Sequence, residues 1–126
     1  MLKAPQIRFC KASDGVRIAY ATTGSGPAMI EVATWLNHLE FDWQSPVWRP
    51  RLVEMAKNYT MARYDGRGCG LSDRAVEDLS FDANLRDLEA VADAAGLSPE
   101  AVQAIANAPD ASERPVLFRV PKVIDR

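Results

Sequence analysis

Three of the seven glycines in this 126-residue chain, Gly66, Gly68 and Gly70, fall within five positions. They follow directly on residues 59–64, a strand-like run, so the chain leaves an extended segment through backbone angles that residues with a Cβ rarely adopt. A tight, specialised turn is implied. Arg67 lies inside it with five donors able to bind the loop's own carbonyls or the Asp65 carboxylate. Asp65, Arg67, Gly68, Gly70 and Ser72 are therefore read as a structural turn. A phosphate cradle is the functional alternative, but its G-x-G-x-x-G spacing is not met: Gly66 and Gly68 lead to Leu71, and Gly68 and Gly70 lead to Asp73.

The surrounding pattern predicts an α/β order. Residues 7–11 and 16–22 are short β-branched and aromatic runs flanking Asp14-Gly15, a dipeptide suited to the positive φ angles of a hairpin turn. After the breaker Gly24-Ser25-Gly26-Pro27, residues 28–33 read as a third strand, apolar enough to be covered on both faces. Ser45-Pro46 offers a cap and a first helical position, with Trp48, Leu52 and Met55 at helical spacing, although Pro50 moves the regular part toward itself. Ser80 caps a second helix with the apolar stripe Phe81, Leu85, Leu88, Val91 and Ala95, ended by Gly96. Ser98-Pro99-Glu100 is expected to restart a short helix through about residue 108. Residues 109–115 then link to a short or edge strand at 116–120, limited by Pro121.

The length fits one domain. With 48% hydrophobic residues, 15 basic and 17 acidic side chains and a net charge of -2, the composition is that of a globular chain with a real core. It carries no electrostatic footprint for nucleic acid or an anionic membrane. No apolar stretch approaches the about 20 residues of a spanning helix, and the polar first 15 residues lack a signal-peptide core, so a cytoplasmic location is expected. Cys10 and Cys69 match no zinc spacing and read as free thiols; neither a metal nor another cofactor is implied.

Residues 64–73, Tyr-Asp-Gly-Arg-Gly-Cys-Gly-Leu-Ser-Asp, resemble the D-x-R-G-x-G-x-S turn after the fourth strand of α/β-hydrolase-fold proteins. The hairpin ending in Gly24-Ser25-Gly26-Pro27, residues 35–43 and the helix at 81–97 fit that family in the same order. The resemblance covers about residues 5–97, and is greatest to modules found beside nucleotide cyclase or LuxR-type regulatory domains. It implies that Trp35 occupies the loop position whose backbone N–H helps form the oxyanion hole, with Thr34 in place of the usual preceding glycine. It also implies a G-x-S-x-G elbow after strand five and a late histidine. Neither occurs: no glycine follows residue 97, and Gly70-Leu71-Ser72-Asp73-Arg74 fails at its last position. The single histidine, His38, lies after strand three, where it cannot be the family's base.

His38 with Cys69 remains the one conceivable base and nucleophile, against the plainer reading of a surface histidine and a packed thiol. Trp35, Trp43 and Trp48 either line a ligand pocket or fill the core. The expected fold is a truncated α/β-hydrolase-like mixed sheet, an N-terminal β-hairpin plus parallel strands with flanking helices, over residues 1–97, with 98–126 as a divergent tail of helix and strand. The expected function is a catalytically incomplete assembly or small-ligand-binding module, with a small apolar ligand as a compatible partner. The alternative is the N-terminal piece of a split esterase completed by another chain. The resemblance places strand three between strand four and the missing strand five, leaving an open apolar edge whose one charge is Glu31. A homodimer through that edge or the tail is expected, with residues 116–120 as the intramolecular alternative.

Overall fold

The computed structural model describes residues 4–33 and 38–96, and the backbone of two strands beyond them. The elements run β1 (Arg8–Lys11), β2 (Arg17–Gly24), β3 (Ala28–Glu31), α1 (Leu39–Gln44), α2 (Arg49–Ala56), β4 (Thr60–Tyr64), α3 (Phe81–Ala94), β5 (Gln103–Ala106) and β6 (Val116–Arg119). The sheet order is β1-β2-β4-β3-β5-β6. β1, β2 and β4 are antiparallel neighbours, β4, β3 and β5 are parallel, and β6 returns antiparallel on β5.

Strand alternation divides the core between the two faces of the sheet. Ile18, Tyr20, Ile30, Ala62 and Tyr64 point to one face and pack with Leu88, Val91 and Ala92 of α3. On the opposite face Ala19 and Ala21 meet Leu39 of α1, and Met61 meets Trp43 of α1 and Leu52 of α2. The connection leaving β3 therefore runs over one face and the connection leaving β4 over the other.

The hairpin between β1 and β2 forms, but its turn differs from the two-residue type that Asp14-Gly15 predicts. Within this turn only Gly15 has a positive φ, +90°, whereas the two-residue type needs it at Asp14 as well. The Gly15 N–H donates to Ala12 O and the Ala12 N–H to Val16 O, so Ser13, Asp14 and Gly15 form a three-residue loop. The helix expected after Ser45 forms as α2, its regular part set by Pro50 as the sequence predicts, and a further short helix, α1, precedes Ser45 where none is expected. α1 ends before Ser45, whose hydroxyl accepts from the Val47 and Trp48 N–H groups in a local turn, and α2 starts at Arg49 with Pro50 in its first turn, where the missing donor costs nothing.

In α3, Ser80 Oγ accepts from the Ala83 N–H and Gly96 ends the helix at φ +73°, both as the pattern predicts. The buried face is rotated from the expected stripe: Ala83, Asp87, Leu88, Val91 and Ala92 are buried, while Phe81 is 77% exposed. The rotation follows from Asp87, which turns inward to meet an arginine. The short helix expected at 98–108 is contradicted at residues 103–106, which form β5, paired Met29 to Gln103 through Glu31 to Ile105. Helix-favouring alanines are overridden by the row of unpaired backbone groups along β3. That strand, not 116–120, takes the place beside β3; residues 116–119 form the outer β6, and the argument for pairing two copies through a bare β3 edge loses its premise. The linker at 109–115 lies outside the described residues.

Candidate functional site: the turn after strand β4 and the adjoining cavity

Asp65 emerges from β4 fully buried and serves as a two-way tie. Its Oδ1 accepts from the Leu39 N–H at the start of α1, and its Oδ2 from the Leu71 N–H across the turn, each at 2.9 Å. Burial raises its carboxyl above the ordinary range, opposed by those two backbone bonds and the nearby His38 and Arg63. Gly70, at φ +51°, presses on this carboxylate: a Cβ there would lie 2.2 Å from Asp65 Oδ2. Ser72 Oγ donates to Asp65 O at 2.6 Å and accepts from the Ala19 N–H at 2.8 Å. Asp73 then bonds Arg17 twice, its N–H donating to Arg17 O and its Oδ2 accepting from the Arg17 N–H.

Of the two kinds of partner that the sequence offers, Arg67 takes a carbonyl of the loop before α3, Asp78 O, and not Asp65. Its Nε and Nη2 donate to Asp87 of α3, Nη1 and Nη2 to Asp14 of the hairpin loop, and Nη1 also to Asp78 O, at 2.8–3.2 Å. The Arg67 backbone N–H adds a further bond to Asp87 Oδ2. The Arg67 and Asp87 side chains are each 1% exposed. Arg67 holds the Asp14 carboxyl down at about 2, and the two carboxylates raise the guanidinium further above its already high value. Every guanidinium nitrogen is thus engaged inside the scaffold.

His38 is the N-cap of α1. Its Nδ1 accepts from the Glu40 and Phe41 N–H groups at 3.2 Å, and its ring stacks on Phe41 with centroids 4.1 Å apart. A capping Nδ1 puts the ring proton on Nε2, so neither nitrogen has a lone pair free to take a thiol proton. Cys69 is half-buried in the turn, its N–H bonded to Gly66 O. Burial, with the nearby Asp87 charge, pushes the Cys10 thiol up to about 11. Trp43 is core, Trp48 is exposed, and Trp35 lies outside the described residues.

A second buried charge cluster, on the α1 face, has no linear motif. Arg63 of β4 donates to Glu31 of β3 and to Asp42 of α1, and Arg51 of α2 donates to Glu31 as well. Asp42 also accepts from the His38 N–H. The alternation of Met61, Ala62, Arg63 and Tyr64 was the available signal, since it puts Arg63 on a covered face beside Met61. Among the described residues no group of three or more His, Cys, Asp or Glu is placed to hold a metal ion, and no helix is long and apolar enough to cross a membrane.

Beside the turn, at the carboxyl ends of β3 and β4 and against α3, lies a cavity of about 470 Å³. Val32, Ala33, Leu85 and Leu88, with the exposed Leu79 and Phe81 at its rim, supply apolar walls, and Tyr64, Asn84 and the turn from Gly66 make up the rest of the described lining. α3 contributes Phe81, Asn84, Leu85 and Leu88, one flank of the helix at i, i+3, i+4 and i+7. The part of the predicted stripe that the sheet does not bury thus faces the cavity.

No family model and no curated protein matches the sequence. Solved structures do. An esterase from a Rhodococcus species is 29% identical, with a TM-score of 0.62, matching 76% of this chain and 34% of that one. An α/β hydrolase from Sphaerobacter thermophilus is 28% identical, with a TM-score of 0.63, matching 79% of this chain and 35% of that one. An epoxide hydrolase from Vigna radiata, 19% identical with a TM-score of 0.64, shares the fold over 82% of this chain and 32% of its own. The chain has an α/β-hydrolase-like fold and spans about a third of the length of these structures.

Proposed function

We propose that these 126 residues act as a non-catalytic binding module on an α/β-hydrolase-like sheet, receiving a small apolar ligand in the cavity between the turn after β4 and α3. One observation carries the reading: the charged groups of the turn are consumed in scaffold bonds, while the space beside it is walled by apolar side chains. A pocket of a few hundred Å³ with apolar walls and few polar atoms is the usual form of a small-molecule site. Hydrolysis by this chain alone lacks a basis, since no G-x-S-x-G occurs in it and the His38 acceptor nitrogen is committed to a helix cap.

Nile red, uncharged and brighter in apolar surroundings, tests the reading. The chain should bind it, and Gly66→Val should weaken that binding. A Cβ at Gly66 meets Ala33 Cβ and Asn84 Oδ1 at ordinary contact distances of 3.8 and 3.9 Å, so a side chain there starts without a clash and takes up part of the cavity. Turnover of 4-nitrophenyl butyrate above buffer, lost in Cys69→Ala, would overturn the non-catalytic half. A second reading is favoured by the lengths of the matched structures: the chain is one piece of a split hydrolase, completed by a polypeptide carrying the elbow, acid and late histidine. Esterase activity appearing only on mixing with such a partner would establish it.

A further inference from the structure

We propose that the cavity selects an uncharged, largely apolar ligand bearing one hydrogen-bond donor, a phenol or alcohol, whose O–H is received by Asn84 Oδ1. This rests on the small-ligand reading above and adds the chemistry of the ligand.

The polar inventory of the walls is short. The Asn84 amide is oriented by its own helix cap: Nδ2 donates to Leu79 O at 3.3 Å and to Ser80 O at 2.9 Å. With both amide hydrogens spent on the backbone, Oδ1 is the atom left to face the cavity, and it accepts no hydrogen bond among the described residues. It looks toward Gly66, the position where an added Cβ would lie 3.9 Å from it. Arg67, the one cation among the described lining residues, has each guanidinium nitrogen bonded to Asp14, Asp87 or Asp78 O and its side chain sealed from solvent. Among the described residues no carboxylate lines the cavity. An anion would find no free donor of opposite charge, an ammonium no anion, and either would lose its hydration without compensation. A neutral donor would find in the solvent-facing Asn84 Oδ1 an acceptor held in place by its helix cap, beside apolar walls.

The position in the fold supports a ligand site independently of the lining. β3 and β4 are parallel neighbours whose following connections cross to opposite faces, α1 from β3 and α3 from β4. Such a divergence opens a crevice at the carboxyl ends of the two strands, where open α/β sheets bind ligands. Val32 and Ala33 after β3, with Tyr64 and Gly66 at the end of β4, place this cavity there.

The test displaces Nile red from the full chain with three naphthalenes: 2-naphthol, 2-methoxynaphthalene and 2-naphthoate, at pH 7. The expected result is that 2-naphthol binds about fivefold tighter than its methyl ether, the size of one net neutral hydrogen bond, and that the carboxylate binds at least about tenfold more weakly than either. Asn84→Leu should equalise the naphthol and its ether, and Gly66→Val should weaken both together. Equal binding of naphthol and ether to the unmodified chain, or a preference that survives Asn84→Leu, overturns the assignment to Asn84 while leaving a small-ligand module standing. Carboxylate binding as tight as the naphthol overturns the neutral-ligand class. Failure of all three, with Nile red also unbound, overturns both the inference and the module. The comparison of naphthol with ether needs no variant, so it decides even if Asn84→Leu unfolds.

Discussion

Removing the Arg67 guanidinium should be among the costliest single changes this chain can suffer, and the geometry indicates how costly. Asp87, its side chain 1% exposed, receives Arg67 Nε, Nη2 and the Arg67 backbone N–H. In Arg67→Ala only the backbone donor remains, leaving a buried carboxylate without its counter-charge. Breaking a buried pair from one side costs about 3–5 kcal/mol. Asp14, the other partner, keeps 30% of its side chain exposed and has Arg86 at 3.7 Å, so solvent and a second cation soften its loss and Asp14→Ala should cost about 0.5–1 kcal/mol. The double variant Arg67→Met with Asp87→Leu removes both charges and should recover most of the loss of the single one. Urea unfolding followed by the fluorescence of buried Trp43 measures all three, and the melting temperature of Arg67→Ala should fall by about 10 °C or more. A cost below about 1 kcal/mol for Arg67→Ala, or a double variant no more stable than the single, would refute the reasoning.

Gly70→Ala, with its Cβ 2.2 Å from Asp65 Oδ2 and a backbone φ of +51°, should lose more than about 2 kcal/mol, whereas Gly66→Ala should stay within about 0.5 kcal/mol; thermal melts compare them. With its thiol raised to about 11, Cys10 should be about a thousandfold less ionised than protonated at pH 8, and peptide mapping after brief iodoacetamide treatment should find it the slower-labelled cysteine. Asp14 titrates at about 2 in the folded chain, below the ordinary carboxylate value of 3.8, so its contribution is complete above about pH 4 and lost as pH falls toward 2. Asp14→Asn should therefore lose less stability than the unmodified chain across that interval, read by acid titration of tryptophan fluorescence.

Features set by local chemistry were legible in the sequence. The glycine turn, the Ser80 cap, the Gly96 stop and the hairpin follow from residue types within a few positions of each other, and the turn motif pointed to an α/β-hydrolase-like sheet. What depended on distant partners was not legible. Nothing near Arg67 announces Asp14 and Asp87, 53 and 20 positions away, so from sequence the arginine reads as a partner of its own loop. The same pairing rotates α3, making Asp87 core and leaving Phe81 outside. α1 leaves no signal in the sequence, because histidine is an uncommon cap and six residues offer little periodicity. β5 lies in a stretch of alanines that favour helix until a neighbouring strand supplies hydrogen-bond partners. The cavity shares this character, since Asn84 and Gly66 meet only across the fold.

β2 outruns its neighbour: β4 pairs only with residues 20–24, so the opening residues of an eight-residue strand would stand bare on that side. The returning turn dresses that length of edge. Ser72 Oγ takes the Ala19 N–H, the Asp65 N–H takes Ala19 O, and Asp73 takes both the N–H and the C=O of Arg17. Four main-chain groups that could have recruited a strand from another molecule are closed by side chains and backbone from a loop that cannot itself extend the sheet. The turn thus serves as a guard against edge-to-edge aggregation, and substitutions at Ser72 or Asp73 that leave the core untouched should show their harm first in solubility.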